Sequence, residues 1–249
     1  MKIIALYNIK GGVGKTATAV NLAYLAASEG YRVLLFDLDP QSAATFYFRI
    51  KPKLKKGIKK LISNAQVIDK RIKGTDYEGL DLLPSDTSMR KMDLLLYGAK
   101  KNTKILRSIL EPMKNQYDLL FLDSPPNITL VSENIFYAAD YILVPVIPTP
   151  LSLRTFEQIN RFFMKKKIDT AKIIPFFSMV ERRKKVHKQL MEEVFKKFPD
   201  FLKNYIPYRS EIEQMGIYRK PSVVKNKKSP TTIAYKSFWT EFYLRINKY

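Results

Sequence analysis

A chain of 249 residues, 46% of them hydrophobic, is long enough for one large α/β domain with a substantial core, expected here as a single domain over 1–249. Its apolar runs stop far short of the ~20 residues that span a bilayer, and the absence of cysteine removes disulfides, thiol chemistry and thiolate metal sites and fits a reducing cytoplasm. The formal charge of +21 is high for a metabolic enzyme and points to a polyanionic partner, nucleic acid or an anionic membrane surface, with a lysine-rich composition as the bland alternative.

In chain order, the apolar run Ile3–Ile9 is predicted as a first core strand rather than a signal peptide, because a glycine-rich loop interrupts it and no cleavage pattern follows. With that strand starting at once, no helix-turn-helix domain is expected before it. Lys15–Glu29 is rich in Ala and Leu and closes at Gly30, which predicts a helix. Further strands are predicted at Arg32–Asp37, Leu80–Leu83, Leu119–Asp123, Tyr141–Val146 and Ile173–Phe177. Further helices are predicted at Ser152–Lys166, Lys188–Lys197 and Thr231–Lys248. Lys51–Lys60 is a charge run that keeps Leu54, Ile58 and Leu61 at helical spacing, the pattern of a solvated amphipathic helix. Several strand runs are apolar throughout, as strands buried on both faces of a parallel sheet are. Their alternation with helices predicts a doubly wound α/β fold, a mostly parallel sheet with helices on both faces.

The loop between the first strand and the first helix reads Lys10-Gly11-Gly12-Val13-Gly14-Lys15-Thr16. No glycine stands at the first position of the usual phosphate-loop motif, so this is a variant. Its chemistry is intact: glycines let backbone N–H groups close around phosphates, Lys15 can reach the β- and γ-phosphates, and Thr16 can offer a hydroxyl to Mg²⁺. The phosphates would sit at a helix N-terminus, where the dipole favours anions. Asp123 ends an apolar strand and is placed to hold the water shell of Mg²⁺. Asp37 and Asp39 follow another strand, and one of them could orient or deprotonate the attacking water. ATP and Mg²⁺ are therefore the expected cofactors.

The chain resembles the ParA/MinD family of deviant Walker A ATPases, and the ParA side of it, in Lys10–Thr16, Asp37-Leu38-Asp39-Pro40-Gln41, Leu82-Leu83-Pro84-Ser85, Tyr117-Asp118, Asp123-Ser124-Pro125-Pro126 and Ile206-Pro207. The resemblance implies that Lys10 is the signature lysine, reaching into the ATP site of a partner subunit in a nucleotide-sandwich dimer. It implies that Asp39 is the switch I aspartate needed for hydrolysis, that Asp123 is the Walker B acid, and that Pro207 flanks the adenine. The nucleotide is then held by Lys10, Gly11, Gly12, Val13, Gly14, Lys15, Thr16, Ala17 and Pro207, the metal by Thr16, Asp39 and Asp123, and catalysis rests on Lys10, Lys15, Asp39 and Asp123. Three departures stand out. Ala17 replaces a second threonine, removing a possible hydroxyl contact to the α-phosphate; Ser42-Ala43 replaces Gly-Asn; Asn127-Ile128-Thr129 replaces Ser-Leu-Gly.

The positive charge is uneven, crowding Lys51–Lys60, Arg182–Lys188 and Arg219–Lys228, whereas Tyr117–Pro150 carries only acids among its charged residues. Arg182, Arg183, Lys184, Lys185 and Lys188, with Arg219, Lys220, Lys225, Lys227 and Lys228, are candidate contacts to DNA without sequence preference, since phosphate neutralisation supplies most non-specific affinity. The resemblance implies an ATP-dependent homodimer on nucleoid DNA in the cytoplasm, released when a ParB-like or other cargo adaptor stimulates hydrolysis. A MinD-like membrane cycle is the alternative, with the final basic, aromatic helix on lipid. Ile233, Ala234 and Leu244, directly after Pro230, instead suggest a closing helix packed on the sheet. His187, inside a basic run, reads as a surface residue without a catalytic or metal role.

Overall fold

The computed structural model describes residues 1–51, 59, 68–99 and 102–247. Strands β1 (Lys2–Leu6), β2 (Val33–Asp37), β3 (Lys73–Gly74), β4 (Leu80–Leu83), β5 (Leu119–Asp123), β6 (Tyr141–Val146) and β7 (Ile173–Phe177) form one sheet in the order β3-β4-β2-β5-β1-β6-β7. All pairs are parallel except the short β3–β4 pair. Helices α1 (Lys15–Ser28) and α2 (Ala43–Tyr47) follow β1 and β2, and α3 (Met92–Tyr97) and α4 (Ile105–Leu110) precede β5. Next come α5 (Leu130–Ala138), α6 (Pro150–Lys166) and α7 (Lys185–Lys197). The C-terminal segment runs through α8 (Ser210–Glu213), α9 (Met215–Tyr218) and α10 (Ser222–Lys225) to α11 (Pro230–Ile246).

Residues alternate along each strand, but both faces are covered, which is why the strands read as unbroken apolar runs. Ile3, Ala5 and Tyr7 with Phe36 and Leu122 face α5 and α6 through Phe136, Phe156 and Phe163. Ile4 and Leu6 with Leu35 and Phe121 face α1 and α11 through Val20, Leu22, Phe238 and Trp239. Each large apolar side chain removed from water contributes about 1.5–3 kcal/mol. Tyr235, Phe238, Trp239, Phe242 and Ile246 are buried, so α11 spends its aromatic face on the sheet. Ile233 and Leu244, counted with that face from the sequence, are instead 54% and 55% exposed. Among the described residues no helix is long and apolar enough to cross a membrane.

The first strand ends at Leu6 rather than Ile9, because Tyr7–Ile9 already turn into the phosphate loop. Helix α6 begins at Pro150, two residues earlier than expected, since the Thr149 side chain accepts from the Ser152 N–H. Helix α7 begins at Lys185 rather than Lys188. Strand β3 and helices α2–α5 and α8–α10 were not expected; at two to nine residues they are too short for periodicity to reveal. The amphipathic helix predicted over Lys51–Lys60 lies, apart from Lys51 and Lys59, outside the described residues. Lys248 of the final predicted helix also lies outside them.

Candidate nucleotide site

Strand register assembles the acidic half of the site. Asp123 lies opposite Leu6 of β1 on one side and opposite Asp37 of β2 on the other, so three strand ends meet beside the loop that leaves β1. The Ser124 hydroxyl donates to the Leu6 carbonyl, tying β5 to the loop's base. Asn8, two residues before Lys10, is buried: its Nδ2 donates to the Pro145 carbonyl at 2.8 Å, and its Oδ1 accepts from the Lys10 N–H at 2.9 Å. It thereby links β6 to the start of the loop.

Gly12 and Gly14 take left-handed φ values of 70° and 90°, the conformations that free the loop's N–H groups inward. Gly14 immediately precedes α1, whose first turn holds no acid, so the helix N-terminus is an open anion site. The Lys15 ammonium crosses the loop to the Lys10 carbonyl at 3.0 Å. Burial lowers its pKa, while Asp123 and Asp39 pull the other way. The Ser178 hydroxyl, just after β7, donates to the Val13 carbonyl at 2.9 Å, and a Cβ on Gly14 would meet that hydroxyl at 2.9 Å. Gly14→Ala therefore combines a disfavoured φ with a clash and is expected to cost about 2 kcal/mol. For a chain of this size that lowers the melting temperature by roughly 4–8 °C in calorimetry; a wild-type melting temperature would refute the account of the loop.

The two switch acids separate in role. Asp37 is fully buried and accepts from the Thr45 N–H at 2.9 Å, the Thr45 hydroxyl at 2.7 Å and the Asp39 N–H at 3.2 Å. Burial raises its pKa and those hydrogen bonds oppose the shift. Asp37 thus anchors α2 and is committed to structure. Asp39 is half-buried and lines the cavity above the loop. Its Oδ1 accepts from the Gln41 N–H at 2.8 Å, and its carbonyl accepts from the Ser85 hydroxyl at 2.6 Å. The Ser85 N–H also donates to the Thr45 hydroxyl at 3.0 Å, so the Leu82–Ser85 segment is the tether of this switch.

Both carboxylate oxygens of Asp123 are buried with no hydrogen-bond partner among the described residues. Burial and then the Asp37 carboxylate push its pKa well above the carboxylate range, against the Thr16 hydroxyl and the Lys15 ammonium. An orphaned buried carboxylate beside a threonine hydroxyl and a phosphate loop fits a Mg²⁺ ion that brings its own water shell. No cluster of three or more His, Cys, Asp or Glu residues with metal-binding geometry occurs among the described residues. Asp37, Asp39 and Asp123 therefore do not converge as a self-sufficient metal cage.

The cavity of about 320 Å³ over the loop places Gly11, Gly12, Gly14, Lys15, Thr16 and Ala17 on one wall. Pro207 lies on the other, as expected, held by a parallel bridge to Val180. Lys10 and Val13, assigned from the sequence to nucleotide binding, belong to the loop but do not line this cavity; Val13 is buried beneath it. Sequence reasoning missed Tyr47, Met179, Tyr208, Ile212 and Tyr235, which complete the wall opposite the loop. Only the Ile206-Pro207 pair marked that region in the sequence.

The departures from the family pattern have local causes. Ser42 sits at φ 57°, the left-handed region that glycine occupies freely, so serine there carries strain. Beyond Pro126, the Asn127 carbonyl accepts from the Tyr7 hydroxyl at 2.8 Å and the Ser132 hydroxyl at 2.5 Å, and Thr129 stands at the N-cap position of α5 with its N–H donating to the Ser132 hydroxyl at 3.2 Å.

The basic residues fall into two unlike groups. Arg182 and Arg183 share a groove of about 770 Å³ with Lys203 and Arg209, two cations the sequence reading missed. Arg183 and Arg209 have no side-chain partner among the described residues. Arg182 donates to the Tyr205 hydroxyl and lies 5.8 Å from that ring, and Glu181, the acid on the wall, pairs with Lys184. Lys185 and Lys188 are exposed on α7. In the other group Arg219 lies over the Phe46 ring at 4.2 Å and donates to the Phe46 carbonyl. Lys225 lies 3.9 Å from the Tyr218 ring and donates to Gln214, and Lys220 lies 6.0 Å from the same ring. Lys227 and Lys228 are exposed. His187, expected on the surface, is 5% exposed, and its Nδ1 accepts from the Glu181 N–H at 3.1 Å, closing the turn before α7.

Residues 1–176 match the family described as AAA domain. Over 238 residues the chain is 33% identical to the sporulation initiation inhibitor protein Soj of Bacillus subtilis (strain 168), covering 92% of each chain. A putative plasmid partition protein of Borrelia burgdorferi B31 bound to AMPPNP superposes with a TM-score of 0.85 at 24% identity, covering 98% of this chain and 99% of that one. Cobyrinic acid a,c-diamide synthase from Mycobacterium smegmatis with bound ADP and magnesium superposes with a TM-score of 0.81 at 24% identity, covering 99% and 96%. At these identities the two solved structures speak to the fold.

Proposed function

Because the chain belongs to the AAA domain family, in its ParA-like branch, we propose that it is a single-domain, Mg²⁺-dependent ATPase whose ATP-bound dimer holds DNA non-specifically and lets go on hydrolysis. The observation that carries this reading is the meeting of the loop before α1, the orphaned Asp123 and the cavity-lining Asp39 at one edge of the sheet. Lys15 and the loop N–H groups bind the β- and γ-phosphates. Thr16 and Asp123 hold Mg²⁺, with Asp39 near it; the ion supplies charge neutralisation on the transferring phosphate. Asp39 orients the attacking water and accepts its proton.

Lys10 projects from the loop without lining its own cavity, which supports a role across a dimer interface. Arg183, without a side-chain partner among the described residues, beside Arg182 and Lys203 supports a polyanion as the second ligand, whereas Arg209 lines both this groove and the nucleotide cavity; a ParB-like or other cargo adaptor is the proposed stimulator. The setting is then the nucleoid of a cytoplasm. The buried aromatic face of α11 argues against the membrane-cycling alternative.

The test is DNA retention in ATP against ADP, with mass measured by light scattering. Wild type should be dimeric and DNA-bound with ATP, with log affinity falling about 0.9 per log salt for each phosphate neutralised. Lys10→Ala should stay monomeric and off DNA. A Lys10→Ala protein that dimerises and binds DNA normally would sink the sandwich-dimer reading and leave the ATPase alone. DNA binding indifferent to nucleotide would make the chain a plain nucleic-acid binder.

A further inference from the structure

Tyr47 ends α2, one helical turn beyond Ser42, and is half-buried. Its neighbour Phe46 faces outward under Arg219, while Tyr47 lines the nucleotide cavity, as does Ala17. Both Tyr47 and Ala17 pack against the same apolar cluster on the α1 side of the sheet. The backbone that carries Tyr47 is held two residues earlier by the double hydrogen bond from Thr45 to Asp37.

Two other hydroxyls on this wall have hydrogen-bond partners: Ser178 donates to Val13 at 2.9 Å and Tyr208 donates to Glu213 at 2.6 Å. Thr16 lies beside Asp123, and Tyr235 beside Thr18 and Asn21. The Tyr47 hydroxyl has no hydrogen-bond partner among the described residues. Burial, and then the Asp123 carboxylate, raise its pKa, so the phenol is a protonated donor at neutral pH. The hydroxyl is not among the buried, unsatisfied polar atoms, so it is open to the cavity and to a ligand that accepts from it. At the start of α1, Lys15 and Thr16 serve the β- and γ-phosphates, and the next residue, Ala17, presents only a methyl group. The position one step toward the base therefore lacks a side-chain donor from the loop itself.

We propose that the Tyr47 hydroxyl donates to the α-phosphate of the bound nucleotide, taking the place of the hydroxyl that Ala17 does not supply. The assignment rests on the reading that ATP occupies this cavity. A donor to the α-phosphate acts equally on ATP and ADP, whereas a donor to the γ-phosphate acts on ATP alone. It also makes Tyr47 a link between the nucleotide and the switch segment that carries Asp39.

Affinities for ATP and ADP with Mg²⁺ would be measured by calorimetry for wild type, Tyr47→Phe, Ala17→Thr, the double variant and Lys15→Ala. Tyr47→Phe should lose roughly ten- to a hundredfold for both nucleotides, the worth of a hydrogen bond to a charged group. Its melting temperature without nucleotide should match wild type, because no protein partner is lost. Ala17→Thr in the Tyr47→Phe background should restore most of the affinity, which a merely structural role for the phenol would not allow. Affinities within twofold of wild type for Tyr47→Phe would overturn the assignment. So would a loss confined to ATP, or failure of the threonine to rescue. Unchanged binding by Lys15→Ala would instead overturn the placement of ATP in the cavity, and the Tyr47 assignment with it.

Discussion

Lys15→Ala should all but abolish ATP binding. The lysine is buried, spans the loop to the Lys10 carbonyl, and is the one cation of the loop on the cavity wall. Charge-assisted bonds to two phosphates, at about 1.5–3 kcal/mol each, correspond to a loss on the order of 10²–10⁴-fold. Two effects act together: the phosphates lose their main cation, and the loop loses the cross-link that shapes it before nucleotide arrives. Circular dichroism should stay native, since the sheet and α1 retain their apolar contacts. Calorimetry giving an affinity within threefold of wild type would count against the phosphate-loop assignment.

Asp39→Ala should bind ATP and assemble, yet turn over some 10²–10⁴-fold more slowly, the usual worth of a positioned general base. Asp39 lines the cavity, and among the described residues its carboxylate accepts only the local Gln41 N–H, so its removal leaves the switch tether through Ser85 and the backbone in place. With ATP this variant should persist as a dimer on DNA. Asp37→Ala, two residues away, should behave oppositely: it orphans the Thr45 and Asp39 donors at a fully buried site and lowers stability before any effect on rate can be read. Steady-state phosphate release by Asp39→Ala within threefold of wild type would remove Asp39 from the mechanism.

How much of this was legible in one dimension depended on the range of the interaction involved. Strands β1, β2 and β4–β7 could be read because burial on both faces leaves no room for polar residues, so each becomes an apolar run with turn residues at its ends. The phosphate loop could be read because glycine at positive φ, a lysine and a hydroxyl must lie adjacent in sequence to wrap phosphates. The doubly wound architecture followed from the alternation of such elements.

Contacts between distant segments carried no such local mark. Asp37 and Asp39 look alike in sequence, and only the pairing of β2 with β5, with Thr45 folded back, commits the first to structure and leaves the second facing the cavity. Lys203 and Arg209 join Arg182 and Arg183 in one groove, and Tyr47 joins Ala17 in lining one cavity, across gaps in the chain that no periodicity spans. Arg219 and Lys225 look as free as Arg183 until Phe46 and Tyr218 are seen beneath them. His187 sits in a basic run yet is buried, because a neutral ring nitrogen was needed to accept the Glu181 N–H at the turn before α7. Chemistry confined to neighbouring residues is written in their order, whereas a side chain's partners and burial are settled only when the sheet brings remote segments together.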